Sequence, residues 1–239
     1  MCGIVGIAGN QHVVQDIYDS LITLQHRGQD AAGIMTYDGE RFHLRKSDGL
    51  VREVVRQHHI NRLKGPWGIG HVRYPTAGVY DPAESQPFYV NTPFGISLIH
   101  NGNLTNYIQL AEDVKKRNIR HLATSSDSEV LINVVADEIL QLKKTHLEPV
   151  DLFKAMDAVY KRITGSYSVL MLIAGHGMVA FRDPQAHRPL ILGRRSVGLS
   201  DEYMVASESV TLSTMGFDVL RDLRPAEVVY IDQKHQLHT

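Results

Sequence analysis

The chain has 239 residues, 43% of them hydrophobic, which is enough apolar material for one substantial core. Its 25 basic and 26 acidic residues nearly cancel, and this balance argues against a protein that binds nucleic acid. A single cysteine excludes an internal disulfide and a redox-active cysteine pair, and a thiol that must stay reduced predicts a cytoplasmic location.

No apolar run approaches the roughly eighteen residues of a membrane-spanning helix, so no membrane association is predicted. The first residues lack the basic segment with which a signal peptide begins. The 13 histidines form no HExxH motif and no Cys/His quartet, so the sequence predicts no metal site.

In chain order, the first predicted element is a buried strand over residues 3–8, followed by a helix with apolar residues at helical spacing. Asn10 is placed to cap this helix, and His26-Arg27-Gly28 to end it with two basic residues and a glycine. Asp38-Gly39 predicts a hairpin turn. The segment from Arg73 to Val90, rich in proline, glycine and polar residues, predicts a mobile loop. Further strands are predicted over residues 31–37, 41–46, 67–72 and 95–100.

The second part of the chain predicts three helices and then a series of strands. Pro149 occupies a favoured first-turn position of the third helix, which is expected to bury Phe153, Met156, Tyr160 and Ile163. Strands, helices and strands again in this order predict an α+β fold with two antiparallel sheets enclosed by helices. The helices are predicted over 105–118, 128–143 and 150–163, and the strands over 167–174, 178–182, 190–192, 203–206 and 227–232.

Cys2 has the most distinctive chemistry in the sequence. A small residue after the initiator methionine favours removal of Met1, and Cys2 would then carry a thiol and a free α-amine on the same carbon. Their ordinary pKa values are about 8.5 and about 7.7–8.0, so moving a proton from the thiol to the amine costs only about 1 kcal/mol. The two groups form a nucleophile with its own base. The alternative is a small hydrophobic residue packed near a chain end.

Two polar segments that follow predicted strands could bind a substrate. Arg73 ends a strand, and its guanidinium could bind a carboxylate through two parallel hydrogen bonds; the alternative is a surface arginine paired with an acidic side chain. Asn101 and Gly102 follow another strand. The side-chain amide of Asn101 and the backbone N–H of Gly102 could stabilise a developing oxyanion. The alternative there is an ordinary turn or helix cap.

A third polar segment begins the second predicted helix. Ser126 and Glu129 have the spacing of a capping box, which places Asp127 in the first helical turn. The same Asp127 could face the ammonium group of a ligand. Glutamine carries a partner for each of these groups. Its side-chain carbonyl could be attacked by a nucleophile while two donors bind the oxygen, its α-carboxylate could bind an arginine, and its α-ammonium group could bind an aspartate.

Ordered motifs spread over nearly the whole chain resemble those of the class II, N-terminal-nucleophile glutamine amidotransferases. Several motifs in the right order are more specific than any one of them. They are MCGIVG at residues 1–6, LQHRGQDAAG at 24–33, HVRYPT at 71–76, HNGN at 100–103, SDSE at 126–129, RDP at 182–184, RPL at 188–190 and ASES at 206–209.

The resemblance implies an N-terminal-nucleophile hydrolase fold, a four-layer αββα sandwich of two antiparallel sheets flanked by helices. It implies that Cys2 is the nucleophile and that L-glutamine is the substrate. It also implies that the segment from Arg73 to Glu84 closes over the substrate. The other implied site residues are Asn101 and Gly102 for the oxyanion hole, Arg73 for the α-carboxylate, Asp127 for the α-ammonium group, and Arg27 and Thr76 as further substrate-binding residues.

Within this family, the segment from Gln25 to Asp30 favours the branch that forms 5-phosphoribosylamine for purine biosynthesis. We therefore expect residues 1–239 to be the glutaminase domain, which supplies ammonia to a C-terminal phosphoribosyltransferase domain that this chain does not include. No cofactor is expected in the glutaminase domain, and Mg²⁺ is expected only with the phosphoribosyltransferase domain. The complete enzyme is expected to form homo-oligomers.

Three other interpretations are compatible with the sequence. The chain could be the glutaminase half of another class II amidotransferase, such as a hexosamine-forming one, which only the acceptor domain would distinguish. It could be an amidase or peptidase of the same nucleophile type that acts on another acyl group, in which case Arg73 would be dispensable. It could also be a regulatory module without activity, in which case Cys2 would be dispensable.

Overall fold

The computed structural model describes residues 1–74, 82–118, 121–198 and 200–239. Two antiparallel β-sheets pack face to face, with helices on both outer surfaces, and this confirms the predicted α+β fold with four αββα layers. In chain order the strands are β1 Gly3–Ala8, β2 Ala31–Tyr37, β3 Phe42–Asp48, β4 Trp67–Arg73, β5 Phe88–Val90, β6 Ile96–Leu104, β7 Gly165–Ile173, β8 Gly177–Arg182, β9 Ile191–Val197, β10 Ser200–Ala206, β11 Asp218–Asp222, β12 Val228–Asp232 and β13 Leu237–His238. The helices are α1 Val14–Thr23, α2 Val51–Val54, α3 Gln57–Ile60, α4 Tyr107–Asn118, α5 Asp127–Gln141, α6 Pro149–Arg162 and α7 Ser209–Thr214.

Three apolar layers hold the sandwich together. The middle layer lies between the sheets and includes Ile4 and Leu170. An outer layer joins α1 to the first sheet through Ile17 and Leu21, and another joins α5 and α6 to the second sheet. Because the first sheet is covered on both faces, β1 is buried along its whole length, which explains its uninterrupted run of apolar and small residues.

The strand order fixes where β1 begins. The first sheet has the order β11-β9-β10-β1-β4-β2-β3, and the second has the order β13-β12-β8-β7-β6-β5. Gly3 of β1 lies opposite Val72 of β4, and Ala31 of β2 lies opposite Arg73. Cys2, directly before β1, therefore lies at the same end of the sheet as Arg73.

The predicted boundaries of the first helix are wrong at both ends. The helix begins after Val13 without a side-chain cap, and the backbone N–H of Asn10 instead donates to Glu202 at 2.8 Å. At its other end a separate 3₁₀ turn follows over Gln25–Arg27. Gly28 has a φ of −168°, so it is extended and does not form the left-handed cap with which a glycine commonly ends a helix.

The Asn-Gly dipeptide does not form a turn. The strand predicted to end at His100 continues as β6 to Leu104. Asn101 and Gly102 lie within it, in register with residues of β7. Antiparallel pairing along the whole of β7 therefore overrides the local preference of Asn-Gly for a tight turn.

Part of the predicted loop over residues 73–90 has regular structure. A 3₁₀ turn spans Pro82–Glu84, and Phe88–Val90 forms β5, which pairs with β6. Residues 75–81 lie outside the described residues, and the mobility of the loop stays a prediction.

Other short elements escaped the sequence analysis. The helices α2, α3 and α7 and the strands β11 and β13 are too short for a periodic pattern to reveal them. In α6, Phe153 and Tyr160 are only partly buried at the edge of the outer layer. Met156 of α6 and Ile163, directly after its end, are buried as predicted. None of the helices in the described part of the chain has both the length and the hydropathy of a membrane span.

His71 is an ionisable group in the interior, on β4. It is 0% exposed, and burial lowers its pKa to about 3. The imidazole is therefore neutral in the folded protein near neutral pH.

Replacement of His71 by leucine is expected to make the protein less sensitive to acid. Between about pH 6.5 and about pH 3 the unfolded chain binds a proton at His71 that the folded chain does not, so stability falls as pH falls, by up to about 1.4 kcal/mol per pH unit. Urea unfolding of wild type and His71→Leu between about pH 7 and about pH 4.5 measures the difference in slope. His58→Leu is a matched replacement at an exposed position. Parallel curves for wild type and His71→Leu would contradict this prediction.

Candidate active site

Cys2 lies at the end of the sandwich where β1 begins and β4 ends. Its Sγ atom is 3.7 Å from the backbone oxygen of Tyr74, and the residue is partly exposed. Burial of the thiol raises the pKa of Cys2 above its ordinary value; the hydrogen bond to Tyr74 and the charges of the N-terminus and Arg73 offset only part of this effect. Because the thiol is protonated at neutral pH, a neighbouring base is needed to form the thiolate.

Arg27 anchors the backbone of Cys2. Its Nε donates to the carbonyl oxygen of Cys2 at 3.0 Å, and its Nη1 is 2.7 Å from Oε1 of Glu208. His26 contacts the same oxygen at 3.0 Å. Burial acts to raise the pKa of Glu208, but the hydrogen bonds from Arg27 and His26 outweigh it and hold the pKa below its ordinary value. Arg27 thus has a positioning contact, and its contact with a substrate stays a prediction.

Further close contacts hold β1 and β4 in place beside Cys2. The backbone N–H of Ser207 donates to the carbonyl oxygen of Ile4 at 3.0 Å, and its Oγ accepts from the N–H of Ile4 at 3.1 Å. Gly28 lies so near the end of β4 that a β-carbon there would be 2.4 Å from the carbonyl carbon of Arg73. The motifs at 24–33 and 206–209 therefore meet beside Cys2.

Asn101 supplies a free hydrogen-bond donor in the interior. The residue is 1% exposed, and its Nδ2 atom has no hydrogen-bond partner among the residues that the structure describes. An unsatisfied buried donor costs about 1–3 kcal/mol, and a ligand oxygen would remove that cost. At the neighbouring Gly102, a β-carbon would lie 2.0 Å from the backbone oxygen of Ser166, so only glycine fits between β6 and β7.

Asp127 belongs to a buried polar cluster. Its Oδ2 accepts from the backbone N–H of Leu104 at 2.9 Å, which fixes the start of α5 to the end of β6. The Oγ of Ser128 is 3.4 Å from Oδ1 of Asp127 and 3.0 Å from Nδ1 of His100. Burial lowers the pKa of His100, and the Asp127 charge offsets only part of this effect. A neutral imidazole therefore supports an aspartate whose side chain remains 19% exposed.

The predicted capping box at the start of α5 is only half formed. Ser126 is the N-cap, and its Oγ accepts from the backbone N–H of Ser128 at 3.2 Å. The carboxylate of Glu129 instead accepts from the backbone N–H groups of Ala123 and Thr124, at 2.8 and 2.7 Å. Glu129 therefore holds the segment that leads into the helix.

Arg73 and Asp127 bring opposite charges near Cys2. Both charges act on the thiol of Cys2. The Nη2 of Arg73 is 2.5 Å from Oε2 of Glu84, and Oε1 of Glu84 accepts from the hydroxyl of Ser125 at 2.8 Å. A cation and an anion that both act on one thiol are complementary in sign to the carboxylate and ammonium groups of a free amino acid.

The structure brings most of the predicted site residues together at this end of the sandwich. Thr76 lies outside the described residues. In the described ranges, no three His, Cys, Asp or Glu side chains are grouped as they would be around a metal ion, and the lack of a cofactor stays a prediction. A hydrogen bond links Cys2 to Arg27, and the charges of Arg73 and Asp127 act on its thiol. Asn101 and Gly102 lie on β6, whose last residue is bonded to Asp127.

Sequence reasoning missed four residues of this site. Glu208 lies within a quoted motif, but that motif gave no indication of a partner for Arg27. Glu84, Gln86 and Ser128 carry no local pattern that predicts their contacts. Apart from Asp127 and Ser126, which lie within two residues of Ser128, their partners are 11 to 42 residues away along the chain.

Residues 71–214 match the protein family described as "Glutamine amidotransferase domain". This match covers more than half of the chain and includes Arg73, Asn101, Gly102 and Asp127. The chain therefore belongs to the glutamine amidotransferase family, as its ordered motifs indicated.

The curated relatives of the chain and a similar solved structure belong to one kind of glutamine amidotransferase. The chain is 54% identical over 239 residues to the amidophosphoribosyltransferase of Pseudomonas aeruginosa, covering 100% of this chain and 48% of the relative. It is 54% identical over 241 residues to that of Escherichia coli, covering 100% of this chain and 48% of the relative. A solved structure of glutamine phosphoribosylpyrophosphate amidotransferase from B. subtilis, complexed with ADP and GMP, matches with a TM-score of 0.82 at 32% identity, covering 99% of this chain and 49% of that one. The chain thus spans about half the length of the relatives that it matches.

The burial of Cys2 predicts slow alkylation at neutral pH. In protein that retains Met1, the rate of reaction with iodoacetamide is expected to rise with pH and to report an apparent pKa above the ordinary thiol value of about 8.5, because only the thiolate reacts. Intact mass spectrometry follows the reaction, and Cys2→Ala should give no adduct because the chain has no other cysteine. An apparent pKa below about 8.5 in the folded protein would contradict the expected effect of burial.

Proposed function

We propose that residues 1–239 form a glutaminase domain that hydrolyses L-glutamine to glutamate and ammonia, with Cys2 as an N-terminal nucleophile. The observation that carries this proposal is the Nδ2 donor of Asn101, which is buried on the strand whose end is bonded to Asp127 and has no partner in the described part of the chain. A donor of this kind gains its hydrogen bond when an oxyanion forms. Membership of the glutamine amidotransferase family supports glutamine as the substrate.

The proposed reaction begins after removal of Met1. The freed α-amine of Cys2 takes the thiol proton, and the sulfur attacks the side-chain amide carbon of glutamine. A C–S bond forms, and the C=O electrons move to the oxygen, which accepts hydrogen bonds from Asn101 and Gly102. The protonated α-amine of Cys2 then gives its proton to the amide nitrogen of glutamine as the C–N bond breaks and the C=O bond re-forms, which releases ammonia and leaves a thioester. Water, deprotonated by the α-amine, attacks the thioester and displaces the thiolate to give glutamate.

Two charged residues select the amino acid head group in this proposal. The guanidinium of Arg73 binds the α-carboxylate, and the carboxylate of Asp127 binds the α-ammonium group. Arg27 and Thr76 are proposed as further substrate contacts. The opposite charges hold glutamine in one orientation, so that its side-chain amide reaches Cys2.

We propose that the complete protein transfers the ammonia to phosphoribosyl pyrophosphate and forms 5-phosphoribosylamine for purine biosynthesis. The relatives at 54% identity are named amidophosphoribosyltransferase and are about twice as long as the chain, which supports a further domain. The proposal includes a C-terminal phosphoribosyltransferase domain with Mg²⁺, no cofactor in the glutaminase domain, a cytoplasmic location and a homo-oligomeric complete enzyme.

A glutamine analogue with an electrophile at the γ-position is expected to form one adduct per chain, on Cys2. Intact and peptide mass spectrometry locate the adduct. Excess glutamine should slow the labelling, whereas glutaramate, which lacks the α-amine, should not, because Asp127 then has no ammonium group to bind. An adduct at another residue, or none on folded protein without Met1, would contradict the proposed function.

Replacement of Asn101 by alanine is expected to lower kcat by about 10²–10³-fold, because loss of one oxyanion donor costs about 2.7–4 kcal/mol. KM should change little, since the donor acts mainly in the transition state. Steady-state glutamate release provides the measurement, and Asn103→Ala, at an exposed position of the same strand, is the matched control. Equal kcat values for Asn101→Ala and wild type would exclude Asn101 from the oxyanion hole.

A further inference from the structure

Residues 84–87, here named the bridging segment, connect the two sheets at the end that holds Cys2. On the side of the first sheet, Nζ of Lys46 donates to the backbone oxygens of Ser85 and Pro87 at 2.6 and 3.2 Å. Gly33 of β2 packs so closely that a β-carbon there would lie 2.0 Å from the backbone oxygen of Gln86. The first sheet therefore fixes the position of the bridging segment.

Glu84, the first residue of the bridging segment, joins the two halves of the proposed head-group site. One carboxylate oxygen contacts Arg73 at 2.5 Å, and the other accepts from the hydroxyl of Ser125 at 2.8 Å. Ser125 directly precedes the N-cap of the helix that begins with Asp127. The side chains of Glu84 and Arg73 are each only 13% exposed, so this ion pair is shielded from solvent. Glu84 thereby sets the spacing between the proposed carboxylate and ammonium partners.

Gln86 joins the bridging segment to the strand that carries the proposed oxyanion hole. Its Oε1 accepts from the backbone N–H of His100 at 2.6 Å, and its Nε2 donates to the backbone oxygen of the same residue at 3.1 Å. The Nε2 also donates to Oγ of Ser128 at 3.2 Å. Gln86 is 7% exposed, and His100 is the residue directly before Asn101. A shift of the Gln86 amide would therefore shift β6 next to the oxyanion donors.

We propose that Glu84 and Gln86 are positioning residues for glutamine hydrolysis, with Glu84 fixing the head-group site and Gln86 fixing the oxyanion hole. The inference rests on the proposed function. Glu84 acts through Arg73, on contacts that glutamine makes equally in the ground and transition states, so its loss affects KM. Gln86 acts through β6, on hydrogen bonds that strengthen in the transition state, so its loss affects kcat.

The test of Glu84 is the variant Glu84→Gln, which keeps the shape of the side chain and removes its charge. In the intact protein with Met1 removed, KM for glutamine is expected to rise about tenfold while kcat changes by less than about twofold. Ser125→Ala, which removes the other partner of the same carboxylate, should raise KM by a smaller factor, and the double variant should be non-additive. An unchanged KM overturns the role of Glu84, and so does a lower KM, which would mean that Glu84 competes with the substrate carboxylate.

The test of Gln86 is the variant Gln86→Glu, which replaces only the Nε2 donor. The introduced carboxylate faces the backbone oxygen of His100, so kcat is expected to fall about tenfold to hundredfold while KM changes by less than about twofold. Gln86→Asn, which is too short to make all three contacts, should change kcat in the same direction and serves if the first variant does not fold. A loss confined to KM, or none at all, overturns the role of Gln86.

Two further measurements separate positioning from general damage. Alkylation of Cys2 by iodoacetamide needs neither a bound head group nor the oxyanion hole, and Glu84→Gln leaves in place the Arg73 charge that favours the thiolate. Neither variant should therefore react more slowly than wild type, and a slower rate in either would overturn the positioning role of that residue. Glu40→Gln and Gln57→Glu, at exposed positions, are matched controls that should leave kcat and KM unchanged. A wild-type protein without glutaminase activity overturns the proposed function and this inference with it, whereas an active wild type with unchanged variants overturns this inference alone.

Discussion

The burial and two-sided pairing of β1 is the constraint on which the site depends. Hydrogen bonds to β4 and β10 hold this strand on both edges, and apolar layers cover both of its faces. Cys2 directly precedes the strand, which fixes its position, and its thiol lies 3.7 Å from the backbone oxygen of Tyr74. The pair of Arg27 and Glu208 then fixes the carbonyl of Cys2 from the opposite side. A residue near a chain terminus, where backbones usually fray, thus obtains the order that a nucleophile needs.

The same burial determines the electrostatics around Cys2. Removal from water disfavours the thiolate, and it also keeps the neighbouring His71 and His100 neutral. The charge of the N-terminus acts on the thiol as well, and so do the charges of Arg73 and Asp127, which belong to two elements of different layers. In such a site a base attached to the nucleophile itself, the α-amine, is better placed than a distant histidine. This is why the proposed mechanism depends on the removal of Met1.

The site also depends on how the two sheets are joined at this end. Cys2 and Arg73 belong to the first sheet, whereas Asn101 and Gly102 belong to the second. The apolar middle layer holds the sheets together but is non-directional, so it cannot by itself set distances within a fraction of an ångström. Directional contacts of Lys46, Glu84 and Gln86 add that precision. The site thus combines an apolar sandwich with a polar connection at one end.

The sequence by itself determined the alternation of strands and helices, the four-layer class and the residue types of the site, because periodicity and motif order are local properties of the chain. It predicted β1, the hairpin of β2 and β3, and the cores of α4, α5 and α6 within a few residues. Only the tertiary structure decided that Asn101 and Gly102 lie in a strand, that Asn10 caps no helix, and that Glu84 and Gln86 connect the two halves of the site. These outcomes depend on hydrogen bonds between residues distant in sequence, such as Ser125 with Glu84 at a separation of 41 residues. Such bonds form only when the sheets pack, and no local pattern of residues encodes them.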